Sequence, residues 1–181
     1  MVVEILVLIL IVIAIFLVLV FNSLISSRNK VKNSFAQIDV QLKKRADTIV
    51  NLVEIVKGYA KHEKSLFEEV TAARASVASA SPQEVVAASN ALTKSAKSLF
   101  AVAENYPDLK ANENFLKLQE QLVRIENDIA YARMVYNDVV TIFNTKIQSF
   151  PNNVIAPLFG FSEQKLLETN EIERAAAKVN I

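Results

Sequence analysis

Residues 5 to 21 form an unbroken run of apolar side chains, and Leu24 and Ile25 extend it past Asn22 and Ser23. At about 1.5 Å of rise per residue, roughly 20 helical residues cross a ~30 Å hydrocarbon core, so the run predicts one membrane span. A secretory signal would open on a basic residue and close on small residues at a cleavage site. Here the start carries Glu4, the run is longer than a signal requires, and Ser23 with Ile25 is a poor cleavage pair; a retained anchor is expected. No ionisable or amide side chain lies between residues 5 and 21, which leaves the span nothing to bind an ion or relay a proton and argues against transport.

The flanks set an orientation. Arg28, Lys30 and Lys32 follow the span and Lys43, Lys44 and Arg45 lie a little further on, whereas only the amino terminus and Glu4 precede it. The positive-inside tendency therefore predicts a single-pass protein of the cell (inner) membrane, amino terminus outside and bulk of the chain cytoplasmic. Arg28, Lys30 and Lys32 are also candidate lipid head-group contacts, at ~1 kcal/mol per cation close to an anionic surface.

Beyond the span the chain is ordinary and water-soluble. Of 39 charged side chains, 38 lie in the 160 residues after Phe21. Two glycines and four prolines in 181 residues are too few turn makers for a sandwich, a barrel or repeated strand–helix alternation, and a mostly helical protein remains. The absence of cysteine excludes disulfides, thiolate metal sites and cysteine catalysis.

Steps of four and three from Val31 pass through Phe35, Ile38, Leu42, Arg45, Ile49, Leu52, Val56, Tyr59, Glu63, Leu66, Val70, Ala73 and Val77, and twelve of these fourteen are apolar. The period is helical. Ala46, Val53, Ala60 and Phe67 widen the stripe into the face of a helix packed on several neighbours, so a bundle is expected rather than a lone paired coil. Gly58 falls opposite that seam and need not break the helix. The first helix is predicted to run from residue 28 to about Ser79, because Ser81, Pro82, Gln83 and Glu84 form a start signal for the next: hydroxyl cap, proline at the first position, glutamate at the third. That second helix carries Val85, Ala88, Leu92, Ala96, Leu99 and Val102 and stops near Tyr106–Pro107. The third carries Phe115, Leu118, Leu122, Ile125, Ile129, Ala132, Tyr136, Val139, Phe143, Lys146 and Phe150 and stops at Pro151. Pro157 and Gly160 mark a loop, and Ser162 is a candidate cap for a last helix holding Leu166, Leu167, Ile172, Ala175 and Ala176.

The expected fold is all-α: a single N-terminal transmembrane helix followed by an antiparallel up-and-down helical bundle, three long helices plus a shorter C-terminal one. Its organisation reads as anchor at 1–26, bundle at 27–161 and a C-terminal helix or tail packed on the bundle at 162–181. If residues 105–112 are extended, the third helix starts near the level of Leu42 and rises beside the first.

No motif points to a reaction. His62 and Glu63 evoke a zinc protease, but that motif needs a second histidine four residues on, and the chain has one histidine. The di-iron pattern of paired glutamate-x-x-histidine is likewise missing. Glu68, Glu69, Glu113, Glu120, Glu126 and Glu173 read as solvated partners on helix exteriors, and Gly58 and Gly160 are isolated rather than part of a phosphate cradle. No catalytic residue, metal, cofactor or small-molecule substrate is expected. The triplet Lys43, Lys44 and Arg45 lacks the interleaved aromatic platform of a nucleic-acid binder. Tyr106, Tyr131 and Tyr136 read as bundle fillers or caps. Arg45, Glu63 and Lys146 occupy seam positions; they either set register through buried partners or sit at a bundle edge with their heads in water, and the second reading is preferred. The reading that follows is a non-enzymatic interaction module on the bilayer, presenting a polar helix surface to a protein partner or to its own copies. The alternative is an enzyme or ligand-binding bundle with a polar cavity around Arg45 or Glu63.

Several runs are more specific than any pattern: Arg28-Asn29-Lys30-Val31, Gln37 to Asp47 (QIDVQLKKRAD), Asn51-Leu52-Val53, Val56 to Glu63 (VKGYAKHE), Glu104 to Ala111 (ENYPDLKA), Tyr136-Asn137, Phe150-Pro151 and Gly160-Phe161. In these the chain closely resembles the LemA family of bacterial membrane proteins. The resemblance implies a one-span anchor, a short outside amino terminus and a helical bundle, and it brings no established reaction, cofactor or catalytic residue. Two departures are Phe35, where tryptophan is expected, and Val50, where the family often has proline; the latter implies an unkinked first helix.

Overall fold

The computed structural model describes residues 1–79 and 84–167. Among these the regular structure is entirely helical: α1 (Val2–Tyr59), α2 (Lys64–Ser79), α3 (Val85–Ala103), α4 (Pro107–Lys110), α5 (Glu113–Gln148), α6 (Asn152–Ile155) and a 3-10 turn, η1 (Pro157–Phe159). The Ser81-Pro82-Gln83 part of the predicted start signal lies outside the described residues.

The apolar run and the first seam belong to one uninterrupted helix, α1, which passes through Val50. Val31, Ile38, Leu42, Ile49, Leu52 and Val56 are buried as the period requires. The helix does not continue to Ser79. It ends at Tyr59, the Glu63 amide bonds back to the Ala60 carbonyl (3.2 Å), and α2 reverses, bringing Lys57 Nζ to 5.8 Å from the Phe67 ring centre. Ten residues of unbroken helix would separate those two by ~15 Å. The reversal returns Leu66, Val70 and Ala73 to the core that holds Val53 and Val56, where a straight helix would carry them into solvent.

The chain divides into two compact units. One, Gln37–Tyr131, holds the later part of α1, all of α2, α3 and α4, and the start of α5. Its core joins Ile49, Leu52, Leu66, Leu92, Leu99 and Phe115. Here α1 and α5 run in opposite directions, since Arg45 pairs with Glu126 while Tyr59 meets Asn112. The third long helix thus descends along the first instead of rising beside it. The reason is local: residues 105–112 are not extended, because Pro107 opens the one-turn α4 and Asn112 Oδ1 then accepts the amides of Asn114 (3.0 Å) and Phe115 (3.1 Å), capping α5 where the chain turns.

The other unit combines the described residues of Met1–Ala36 and Ala132–Ile181. Phe35 meets Tyr136 edge-on at 5.7 Å, and Lys146 reaches Ser23 and Ser27, so the two helices are again opposed. Val140 and Ile147 are buried on α5 here, and Phe150, placed in the seam by sequence, is 82% exposed beyond the helix end. Residues 161–167 are not helical, so the predicted Ser162 cap, Leu166 and Leu167 lie in an irregular strap along α5; Ile172, Ala175 and Ala176 lie outside the described residues.

Candidate functional site: a polar centre, a collar and an outer face

In the Gln37–Tyr131 unit the seam arginine is the largest fully buried side chain, 2% exposed. Arg45 Nη1 donates to both oxygens of Glu126 (2.8 and 3.0 Å) and to Thr93 Oγ1, and Nη2 donates to Ser89 Oγ. Three helices thus meet on one guanidinium. Of the two readings of Arg45, the structure supports the buried register-setting one, because α3 places two hydroxyls four residues apart on its inner face and α5 adds a carboxylate. Glu126 is 43% exposed, so one side of the ion pair remains hydrated. The signal for this centre was partly present: Ser89 occupies an apolar-face position three residues before Leu92, and Glu126 follows the seam residue Ile125. Glu63 does not join the centre; it sits half-buried in the turn before α2. His62 is exposed in the same turn, and among the described residues no three His, Asp or Glu side chains converge.

In the other unit a collar surrounds the end of the apolar run. Phe21 packs against Phe159 (5.0 Å between ring centres) and Phe161 (5.9 Å), and Arg28 lies over the Phe161 ring at 5.0 Å. Lys146, also placed at an edge with its head in water, instead donates to the Ser23 carbonyl (3.1 Å), Ser23 Oγ (2.6 Å) and Ser27 Oγ (2.9 Å). Of the three candidate head-group cations, Lys30 and Lys32 are exposed and Arg28 is half-buried against its aromatic partner. A cation held over an aromatic face is attracted by the ring's quadrupole. The Phe161 partner was not legible, because it comes from a loop more than a hundred residues away.

Two groups carry displaced acidities. Burial raises the pKa of Tyr136, whose hydroxyl donates to the Lys165 carbonyl (3.2 Å), and burial also raises that of Asp39. Both sit outside the apolar span.

The outer surface of α5 is not uniformly polar. Leu116, Val123, Tyr131, Met134 and Ile142 are exposed. Within the Gln37–Tyr131 unit, at about 100° per residue, Leu116, Val123 and Tyr131 fall within roughly 80° of one another, on the side of the helix opposite Phe115, Leu122 and Ile129. One helix therefore carries a wide buried apolar face and a second, narrower one turned outward.

The sequence pattern that defines the LemA family matches residues 34–181. Protein LemA of Metamycoplasma hominis is similar to the chain, at 26% identity over 84% of the chain and 71% of the relative. Magnetosome proteins MamQ 1 and MamQ 2 of Paramagnetospirillum magneticum are each 30% identical over 39% of the chain, a stretch that spans 26% of either relative.

Proposed function

The chain belongs to the LemA family, and on that premise we propose that it is a single-pass protein of the cell membrane, amino terminus outside and helical body cytoplasmic, whose role is non-enzymatic. The body engages a protein partner through the outer face of α5. The exposed stripe of Leu116, Val123 and Tyr131 carries this reading, since a soluble helix that has already buried one apolar face gains nothing from a second unless something covers it. The apolar helix segment at residues 2–19, none of it buried, supports the anchor, and the excess of cations after it supports the orientation.

Photo-crosslinking in cells tests the partner surface. A photoreactive residue at Val123 or Tyr131 is expected to trap a protein in discrete adducts, and Val123→Glu with Tyr131→Glu to abolish them without lowering thermal stability. Adducts that survive the double substitution would remove α5 as the docking face. The chain has no cysteine, so orientation is read from single introduced ones. Val3→Cys should react with a membrane-impermeant maleimide on intact cells, and Lys61→Cys only after lysis. The reverse pattern would invert the topology.

A further inference from the structure

Between Lys146 and Glu163 the chain runs for sixteen residues without a charged side chain, and this stretch contains α6 and η1. Four of its large apolar side chains face outward: Phe150 (82% exposed), Val154, Leu158 (77%) and Phe159. A loop of a water-soluble domain normally exposes polar residues.

Its position is fixed by Phe21. Glu4 carries a charge that hydrocarbon would not tolerate, so the apolar core of a bilayer begins at about Ile5. About 20 residues fill a ~30 Å core, which places its far edge near Leu24 and leaves Phe21 inside it by about one helical turn. Phe159 and Phe161 pack against Phe21, tilted and edge-on, and are therefore at about the same depth. Above them the chemistry changes sign: Lys146 binds Ser23 and Ser27, and Arg28 caps Phe161 one turn further on.

The backbone of the loop suits that depth. The amides of Ala156, Phe159, Gly160 and Phe161 donate to carbonyls within the loop at 2.7–3.2 Å, and Pro151 and Pro157 have no amide to satisfy. Gly160, with φ of 70°, closes η1 and allows the turn toward Phe161. Lipid tolerates such non-helical backbone only when its polar groups are paired.

We propose that the α6–η1 loop is a second membrane-contacting element: Val154, Leu158 and Phe159 dip into the boundary between head groups and acyl chains beside the span, with Arg28 and Lys146 held at the head-group level. The occupant of this apolar surface is the bilayer, because the loop is continuous with the exposed helix that crosses it. This inference rests on the anchor reading and not on the α5 partner surface.

The chain contains no tryptophan, so a single introduced indole reports its own surroundings. Full-length Leu158→Trp and Val154→Trp are reconstituted into phosphatidylcholine–phosphatidylglycerol vesicles with and without phosphatidylcholine brominated near the head of its acyl chains, alongside Met134→Trp on α5. The expected result is blue-shifted emission, strongly quenched by the brominated lipid, for both loop variants, and unquenched emission for Met134→Trp. Loop variants that float with the vesicles but keep their emission would overturn the loop proposal alone. Protein that fails to float would overturn it together with the anchor, and equal quenching of Met134→Trp would replace it with a body lying flat on the surface.

Discussion

Asn137 and Asn144 stand seven residues apart on α5 and grip the strap three residues apart, at Leu167 and Gln164. Each asparagine acts as a peptide group would: Nδ2 donates to the strap carbonyl and Oδ1 accepts the strap amide, at 2.9–3.0 Å in all four bonds. Seven helical residues rise ~10.5 Å and three extended residues span ~10 Å, so the two repeats coincide. The strap needs no helix of its own because α5 supplies its hydrogen bonds.

Replacing Asn144 by alanine removes two of those bonds. With each net bond worth about 0.5–1.5 kcal/mol, partly offset by the better helix propensity of alanine, the variant should lose about 1–2 kcal/mol. Amide exchange at Gln164 should rise sharply, with a smaller rise at Leu167. Unchanged exchange at Gln164 would mean that the side-chain pairing does not hold the strap.

Arg45 and Glu126 should respond unequally to truncation. Glu126→Ala leaves a cation 2% exposed with only Ser89 and Thr93 as acceptors, and loss of about 3 kcal/mol is expected. Arg45→Met keeps the packed volume and leaves behind two hydroxyls and a carboxylate that already touches water, so its loss should be smaller, about 1–2 kcal/mol. Urea unfolding of the two variants decides the order. A larger loss for Arg45→Met would indicate that the guanidinium stabilises the three helices beyond its pairing with Glu126.

These two sets of contacts also mark the boundary of what the sequence discloses. The span is an unbroken apolar run, the seam through Val31 to Val56 and the α3 face of Leu92, Ala96 and Leu99 are periodic, and both run and period are local properties of the chain. The reversal at 60–63 was hidden because Val56, Leu66, Val70 and Ala73 keep facing a core on both sides of the turn, so the pattern survives the break. The partners of Arg45 lie 44 to 81 residues away, and those of Asn137 and Asn144 lie 20 to 30 away. Such bonds depend on which helix lies beside which, and no local spacing encodes that. The collar is hidden for a related reason: aromatic residues around Pro157 and Gly160 read as a loop until their packing against Phe21 gives them a depth.

The two glycines should behave oppositely on substitution. A Cβ at Gly58 would meet nothing within 4 Å, and the residue is helical, so Gly58→Ala should stabilise by about 0.5–1 kcal/mol. Gly160 also has open space, but its φ of 70° costs an L-residue about 1–2 kcal/mol, and Gly160→Ala should destabilise by that much. Thermal unfolding of both variants is sufficient. A loss of stability in Gly58→Ala would show that the reversal after Tyr59 draws on the freedom of the glycine before it.

Tyr136 gives the fold an alkaline limit. Burial holds its folded pKa above the ordinary phenolic value of about 10, so the folded state favours the neutral hydroxyl that bonds the Lys165 carbonyl. Below that value the phenol is neutral in both states and its contribution is fully present. Above it the unfolded chain ionises first, and stability falls until the pH passes the folded pKa. Tyr136→Phe removes both the bond and the titration. The wild type should therefore exceed the variant by about 1 kcal/mol near neutral pH, and the gap should narrow as the pH rises beyond about 10. Paired urea midpoints across that range measure the gap directly, and the same gap at both ends would dissociate the alkaline loss from this hydroxyl.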